Sequence, residues 1–381
     1  MKTFEQINEK IKKGKVVVLT AEEIIPLVKK EGAKKVAEKV DVVTSATFGP
    51  MCSSGVFLNF GHADPPIKMN RVYLNDVAAY AGIAAVDAYL GATELSGGKN
   101  GSYGGAHVIE DLLKRKRINL RATGYKTDCY PRDKIETTIT LDSINQAILF
   151  NPRNVYQNYS AATNSSDRRL YTYMGPLLPK FGNVAYATAS QINPLINDPE
   201  YRTIGLGTRI FLGGGIGYVV SEGTQHFPAQ IRGQNKVPLD AAATLAVTGD
   251  LKQMESRYLR GARIKNYGVS LFVGIGIPIP ILDEGVAESV GISDESIYTT
   301  IYDYSIQRRN RPNYGRVNYK QLRSGTITLN GKKVSTNPVS SYAMAREIAL
   351  ILKSWIERGE FFLTKPYQSL SHELKKKSLN E

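Results

Sequence analysis

The chain predicts an α/β or α+β protein: one large mixed-sheet domain with glycine-rich loops, a C-terminal hairpin and an amphipathic helix. Three observations carry that expectation. Short apolar runs alternate with amphipathic, capped segments from the N-terminus to Thr123. Residues 208–220 and 269–281 alternate apolar side chains with glycine, a pattern of closely packed strands. Asn330-Gly331, set between Thr326 and Val334, suits a type I′ hairpin turn.

The elements follow in order. Thr3-Phe-Glu-Gln6 reads as a capping box, with Phe4, Ile7 and Ile11 at helical spacing and Gly14 as the stop. Residues 15–19 form a short buried strand. A second capping box, Thr20-Ala-Glu-Glu23, opens a helix expected to pass Gly32 and reach Val40. Residues 42–48 read as a strand and residues 76–90 as an alanine-rich helix. The glycine-rich segment 91–105 precedes a helix over 108–114 and a strand over 118–123. Residues 137–149 mix strand and helix signals, and the polar stretch 151–169 reads as a long loop. Residues 193–201, rich in Pro, Asn and Asp, mark a weak internal boundary. Near the C-terminus Asn337-Pro338 is expected to start a helix, with Tyr342, Ala345, Ala349, Leu352, Trp355 and Ile356 on its apolar face and Gly359 beyond it. Residues 1–366 are thus expected to form the catalytic domain, and 367–381 a basic polar tail.

Composition narrows the function. The 381 residues carry 49 Lys and Arg against 35 Asp and Glu, a formal charge of +14. Such an excess favours acidic proteins, anionic substrates or nucleic acid without choosing among them. The densest basic runs, at 114–117, 308–311 and 375–377, are short and read as solvated faces, and no RRM, KH or zinc-finger pattern accompanies them. Nucleic acid is therefore not the expected partner. The longest apolar run, 271–282, is too short for a bilayer and contains two prolines. The N-terminus lacks the apolar core of a secretory signal, so the expected location is cytoplasmic. Four histidines, His62, His107, His226 and His372, do not fall at zinc-ligand spacing, and neither a metal nor a bound cofactor is expected.

Two glycine-rich motifs mislead. Ser96-Gly-Gly-Lys-Asn-Gly-Ser102 resembles the phosphate loop of ATP pyrophosphatases but lacks its aspartate. Gly213-Gly-Gly-Ile-Gly217 has the wrong spacing for a dinucleotide fingerprint.

The two cysteines carry more. Cys52 lies in GPMCSSG and Cys129 in TDCYPR, each just after an expected strand, with proline nearby. Neither sits inside an apolar run, where an inert core thiol belongs. Thiolate is the reactive form, and nearby cations favour it. Lys126 and Arg132 flank Cys129, opposed by Asp128, whereas Cys52 has only backbone amides and hydroxyls. On local charge Cys129 is the better nucleophile and Cys52 the better partner.

TSATFGPMCSSGVFLNFGHADPPIKM, YGGAHVIEDLL, TDCYPR and SYAMAREIALILKSWIERGEFFLTKP resemble the homocysteine biosynthesis family of anaerobic archaea and bacteria, the L-aspartate semialdehyde sulfurtransferases. The likeness runs from the first helix to about Pro366. Longer members of that family carry a C-terminal pair of CBS domains, which the resemblance leads us not to expect within these 381 residues. The resemblance implies insertion of sulfide-derived sulfur into L-aspartate semialdehyde through a cysteine persulfide. Two electrons would come from a separate ferredoxin-like iron-sulfur protein. It also implies that Cys129 and Cys52 work as a pair, their loops facing one pocket. Around them His62 and His107 are candidate proton donors, Asp64 a partner for His62 or the substrate ammonium, and Arg132 a clamp for the substrate carboxylate. Two other readings stay open: a basic RNA-associated protein such as a tRNA-thiolation factor, and a persulfide carrier that never binds the aldehyde.

Overall fold

The computed structural model describes residues 1–98, 101–187, 190–374, 377 and 379. Thr3 caps the helix Phe4–Lys12 and Thr20 caps Ala21–Glu31, each through a reciprocal capping box. Gly32, at φ 84°, divides the next stretch, so the helix expected to reach Val40 is two helices, Ala21–Glu31 and Ala33–Lys39.

A ten-stranded mixed sheet forms the frame among the described residues. Near one edge the strand Val42–Pro50 pairs in parallel with the edge strand Val18–Thr20 and antiparallel with the long strand Gly268–Pro280, which also pairs with Leu259–Ile264. The sheet continues through Arg209–Leu212, Gly215–Glu222, Leu245–Asp250, Gln146–Asn154 and Gly55–Asn59 to Asp87–Gly91. Ile275, Ile277 and Ile279 of the long strand are fully buried, while the alternate Gly274 and Gly276 lie against Ile348 and Leu352 of the C-terminal helix Tyr342–Glu357. Residues 274–280 are core strand, with Pro278 and Pro280 in register opposite Thr44 and Val42.

A second sheet of six strands runs in the order Asn313–Asn318, Tyr298–Asp303, Ala161–Thr163, Asn183–Tyr186, Lys332–Pro338, Thr326–Leu329. The Asn330-Gly331 hairpin closes its edge, both residues at positive φ as a type I′ turn requires. The strand Lys332–Pro338 continues through Pro338, so Asn337-Pro338 does not start the final helix. Ser341 does, its hydroxyl accepting from the Met344 amide. Pro338 is tolerated as the last residue of its strand, where no further ladder donor is needed.

A third sheet has four strands, Val77–Ala79, Met69–Leu74, Ile118–Gly124 and Lys134–Ile139. It contains part of the segment expected as an alanine-rich helix. Asn75 and Asp76 sit at φ 49° and 66° and turn the chain back on itself, pairing Leu74 with Val77. Residues 87–91 then join the large sheet beside Gly55–Asn59. Asx residues tolerate the left-handed region and tertiary pairing outweighs alanine's helix propensity. The expected loop 151–169 likewise contains strand at Gln146–Asn154 and Ala161–Thr163. Residues 193–201 contain the short helix Pro194–Asn197, all four residues buried. No helix among the described residues is long and apolar enough to cross a membrane.

Candidate active site

Both cysteines follow strands as their sequence contexts indicate, but the strands belong to different sheets. Cys52 lies in the turn between Val42–Pro50 and Gly55–Asn59 of the large sheet. The turn is fixed from several sides. The Met51 amide donates to the Leu271 carbonyl at 2.7 Å, and the Ser54 hydroxyl donates to the Met51 carbonyl at 2.8 Å. Fully buried Asn151 donates to Ser54 Oγ at 2.9 Å, while its Oδ1 accepts from the Arg153 amide at 3.0 Å and from Ser53 Oγ at 3.3 Å. A side chain at Gly55 would overlap the Tyr89 phenol and the Leu90 carbonyl, so only glycine lets the neighbouring strand approach.

The half-buried Cys52 opens onto a cavity of about 1010 Å³ between the large sheet and the six-stranded sheet. Its Sγ lies 3.3 Å from the hydroxyl of fully buried Ser270, and Tyr267 lines the same cavity. Tyrosines dominate the opposite wall. Tyr159 donates to the Tyr173 hydroxyl at 3.1 Å, and the Tyr173 and Tyr304 hydroxyls share a hydrogen bond of 2.8 Å. The rings pack edge to face, Tyr156 against Tyr159 at 4.8 Å and Tyr173 against Tyr304 at 5.8 Å. Burial pushes the Tyr156 phenol up to about 12. Burial and neighbouring phenols push Tyr159 and Tyr304 far higher. These hydroxyls are therefore protonated donors at neutral pH. The charged lining consists of Arg153, Arg309, Arg311 and Asp240.

Cys129 is exposed and does not line this cavity. It sits at the tip of a narrow turn between Ile118–Gly124 and Lys134–Ile139, where Thr127 and Tyr130 exchange backbone hydrogen bonds of 3.1 Å. Tyr130 stacks on His62 at 6.2 Å, at the end of Gly55–Asn59 remote from Cys52. That strand alone puts about 13 Å between the two loops. A disulfide needs Cα atoms within roughly 7 Å. The expectation that both loops face one pocket is not met within a single chain.

The other four candidates, His62, Asp64, Arg132 and His107, lie away from the cavity. His62 and Asp64 are exposed beside the Cys129 turn. Arg132 donates to the carbonyls of Asp64 at 2.7 Å and Pro65 at 3.0 Å, so its guanidinium ties two loops together. Lys126 pairs with Asp133 at 3.1 Å. His107 lies on the helix Gly105–Leu113, stacked on Tyr103 at 5.3 Å. Burial holds its imidazole below the usual range, against the pull of Glu110 and Asp111, and its buried Nδ1 has no partner among the described residues. None of the four lines the Cys52 cavity. His226 instead anchors the C-terminal segment, its two ring nitrogens meeting the carbonyls of Thr244 at 3.1 Å and Ser371 at 3.0 Å. No group of three or more His, Cys, Asp or Glu side chains suited to a metal occurs among the described residues. The SGGKNGS motif includes Lys99 and Asn100, which lie outside the described residues.

Sequence reasoning missed the cavity's tyrosines, its arginines and Asp240. The available signals are the pair Tyr156/Tyr159, in the stretch read as a loop, the pair Tyr302/Tyr304, in a stretch given no reading, and the run Arg308–Arg311, read as a solvated face.

Comparison with known proteins fits this geometry. Residues 16–363 match the family of homocysteine biosynthesis enzymes of sulfur incorporation. An L-aspartate semialdehyde sulfurtransferase of Methanocaldococcus jannaschii is 57% identical, the match covering 97% of this chain and 73% of the relative. The protein of the same name from Methanosarcina acetivorans is 52% identical over 100% of this chain and 74% of its own length. An uncharacterized protein of Methanothermobacter thermautotrophicus is 29% identical over 84% of this chain and 72% of its own length. No solved structure matches the chain significantly. The protein is an enzyme and belongs to the homocysteine biosynthesis family of sulfur incorporation.

Proposed function

We propose that the protein inserts sulfur into L-aspartate semialdehyde to form L-homocysteine in the cytoplasm, and that the carbon–sulfur bond forms at Cys52. The observation that carries this reading is a lone thiol opening onto a large cavity walled by protonated phenols, in a chain 57% identical to a relative with that name.

The balance of the reaction is fixed by its ends. An aldehyde and hydrogen sulfide, with two electrons and two protons, give a thiol and water. Sulfur is carried as a Cys52 persulfide, formed from a sulfane donor that leaves as its reduced remainder, or from sulfide with two electrons passed to an external acceptor. From the persulfide onward two electrons cleave the sulfur–sulfur bond and two more reduce the carbon after water leaves, a net two counted from sulfide. The persulfide adds through its terminal atom to the carbonyl carbon. The carbonyl electron pair moves onto oxygen, which takes a proton from a cavity phenol. A buried donor aimed at that developing charge stabilises it far more than water would. Ser270 offers a hydroxyl donor to a sulfur anion at Cys52. The electrons come from a separate ferredoxin-like iron-sulfur protein, attracted by the positive balance of the chain.

Cys129 takes a different part. Exposed at the tip of its turn, it is the thiol that an external sulfide donor reaches first, with His62 and Asp64 alongside. The exposure of Cys129 favours sulfur loading there, and the cavity at Cys52 distinguishes the protein from a simple persulfide carrier.

The test is anaerobic turnover of purified protein with L-aspartate semialdehyde, sulfide and a low-potential reductant. Homocysteine should form, stop without the reductant and disappear in Cys52→Ser. Product formed at the wild-type rate by Cys52→Ser would exclude the cavity as the place of bond formation.

A further inference from the structure

We propose that the cavity recognises its substrate as an α-amino acid zwitterion, Asp240 taking the ammonium and the loop that carries Arg309 and Arg311 taking the carboxylate. This rests on the sulfur-transfer reading and adds the residues that choose the substrate.

Among the described residues Asp240 is the only carboxylate lining the cavity. Its Oδ1 accepts from the Ser160 hydroxyl at 3.0 Å, and its Oδ2 from the hydroxyls of Thr300 and Tyr302 at 3.2 Å each. All three donors are neutral, and no ion pair to Asp240 occurs among the described residues. An ionised carboxylate has about four acceptor sites, so a place for a cation is left over on a group already oriented by its neighbours.

The arginines show the complementary imbalance. Elsewhere guanidinium groups meet carboxylates: Arg202 meets Asp283, Arg257 meets Glu347 and Arg346 meets Glu22. Arg309 and Arg311 form no ion pair among the described residues, and both line the cavity. Arg311 stacks over the Tyr304 ring with its Cζ 4.1 Å from the centroid. Its Nε donates to the Ile306 carbonyl at 3.4 Å, and the stacking leaves the in-plane terminal N–H groups for a planar anion. The loop is positioned at its base. The Asp303 amide donates to the Pro312 carbonyl at 3.0 Å, and the Asp303 carboxylate accepts from the Ser305 amide at 2.9 Å and hydroxyl at 2.7 Å.

Spacing ties the two ends to one ligand. Asp240 is held by Tyr302, near the end of the strand Tyr298–Asp303, and Arg311 by Tyr304, one residue past that end, where its amide still donates to the Thr163 carbonyl at 2.9 Å. Residues two apart in extended chain share a face and lie about 7 Å apart. Two hydrogen bonds of about 2.8 Å and an ammonium-to-carboxylate separation of roughly 3 Å span a similar length. The basic run that reads in sequence as a solvated face is thus a selectivity element of the cavity.

L-homoserine, the unreactive alcohol of the same skeleton, tests this by calorimetry on the full chain. 4-Hydroxybutyrate lacks its ammonium and 3-aminopropan-1-ol lacks its carboxylate. The wild type should prefer L-homoserine to either by at least about tenfold. Asp240→Asn and Arg311→Gln should each weaken L-homoserine roughly 10- to 100-fold, the range for hydrogen bonds to charged groups. Asp240→Asn should lose its preference over 4-hydroxybutyrate, and Arg311→Gln its preference over 3-aminopropan-1-ol. In turnover KM should rise while kcat changes less than about threefold. Should Asp240→Asn fail to fold, Arg309→Gln and Arg311→Gln, which break no ion pair, carry the test. L-homoserine binding unchanged in folded variants, or a wild type that binds inorganic phosphate but not L-homoserine, overturns the proposal. The expected binding pattern in a wild type that makes no homocysteine supports the clamp and removes the sulfur-transfer reading instead.

Discussion

The two cysteine loops share a sequence context and differ in everything the fold adds. Each is a turn after a strand with proline close by. The Cys52 turn is set between two sheets and hydrogen-bonded to fully buried Asn151. The Cys129 turn projects from the edge of a four-stranded sheet and is held by exposed partners, Thr127, Lys126 and Arg132. Hydrogen bonds to buried groups resist loss because the orphaned partner cannot turn to water, whereas exposed ones are readily replaced. The same local motif is therefore a rigid part of a cavity in one place and an accessible handle in the other.

The largest expected break in that contrast is on turnover. Cys52→Ser should abolish homocysteine formation, while Cys129→Ser should slow it by less than about tenfold when free sulfide is abundant, read by product mass spectrometry. Next comes stability. Asn151→Ala removes the partner of Ser54, Ser53 and the Arg153 amide, and should cost about 2–3 kcal/mol in denaturant unfolding. Thr127→Ala, the matching change in the Cys129 turn, should cost about 0.5–1 kcal/mol. Gly55→Ala should cost about 1–3 kcal/mol by overpacking against Tyr89 and Leu90.

How far the sequence reveals these differences depends on the distance over which each is determined. Capping boxes at Thr3 and Thr20 and the Asn330-Gly331 turn are fixed by neighbours within four residues, and each forms as read. Residues 76–90 do not, because Asn75 and Asp76 turn the chain and two sheets claim its halves. The cysteine turns were legible for the same local reason. The cavity around Cys52 was not. It is assembled from residues 153–173, 240, 267 and 302–311, whose meeting depends on packing of one sheet against another. Arg311 differs from any surface arginine only by the Tyr304 ring beneath it.

Two smaller effects sharpen the comparison further. The phenols of Tyr156, Tyr159 and Tyr304 are held protonated by burial, so their folded pKa values lie above the unfolded value of about 10. Their stabilising effect is complete below pH 10 and is lost as pH rises through and beyond that value. Absorbance titration should accordingly show a set of tyrosines that ionises only as the fold is lost. No such coupling is expected from the Cys129 turn. There Lys126→Ala should change stability by under about 0.5 kcal/mol, since its ion pair with Asp133 is exposed on both sides.

The central claim, that Cys52 and not Cys129 meets the substrate, is tested most directly by a single turnover with isotopically labelled sulfide. Each single-cysteine variant is loaded with labelled sulfide in the presence of a mild two-electron oxidant, which the persulfide requires, freed of excess sulfide and oxidant, and mixed anaerobically with L-aspartate semialdehyde and reductant. The account predicts labelled homocysteine from Cys129→Ser, which keeps Cys52, and none from Cys52→Ser, whose label stays on Cys129. Labelled homocysteine from Cys52→Ser and none from Cys129→Ser would contradict it.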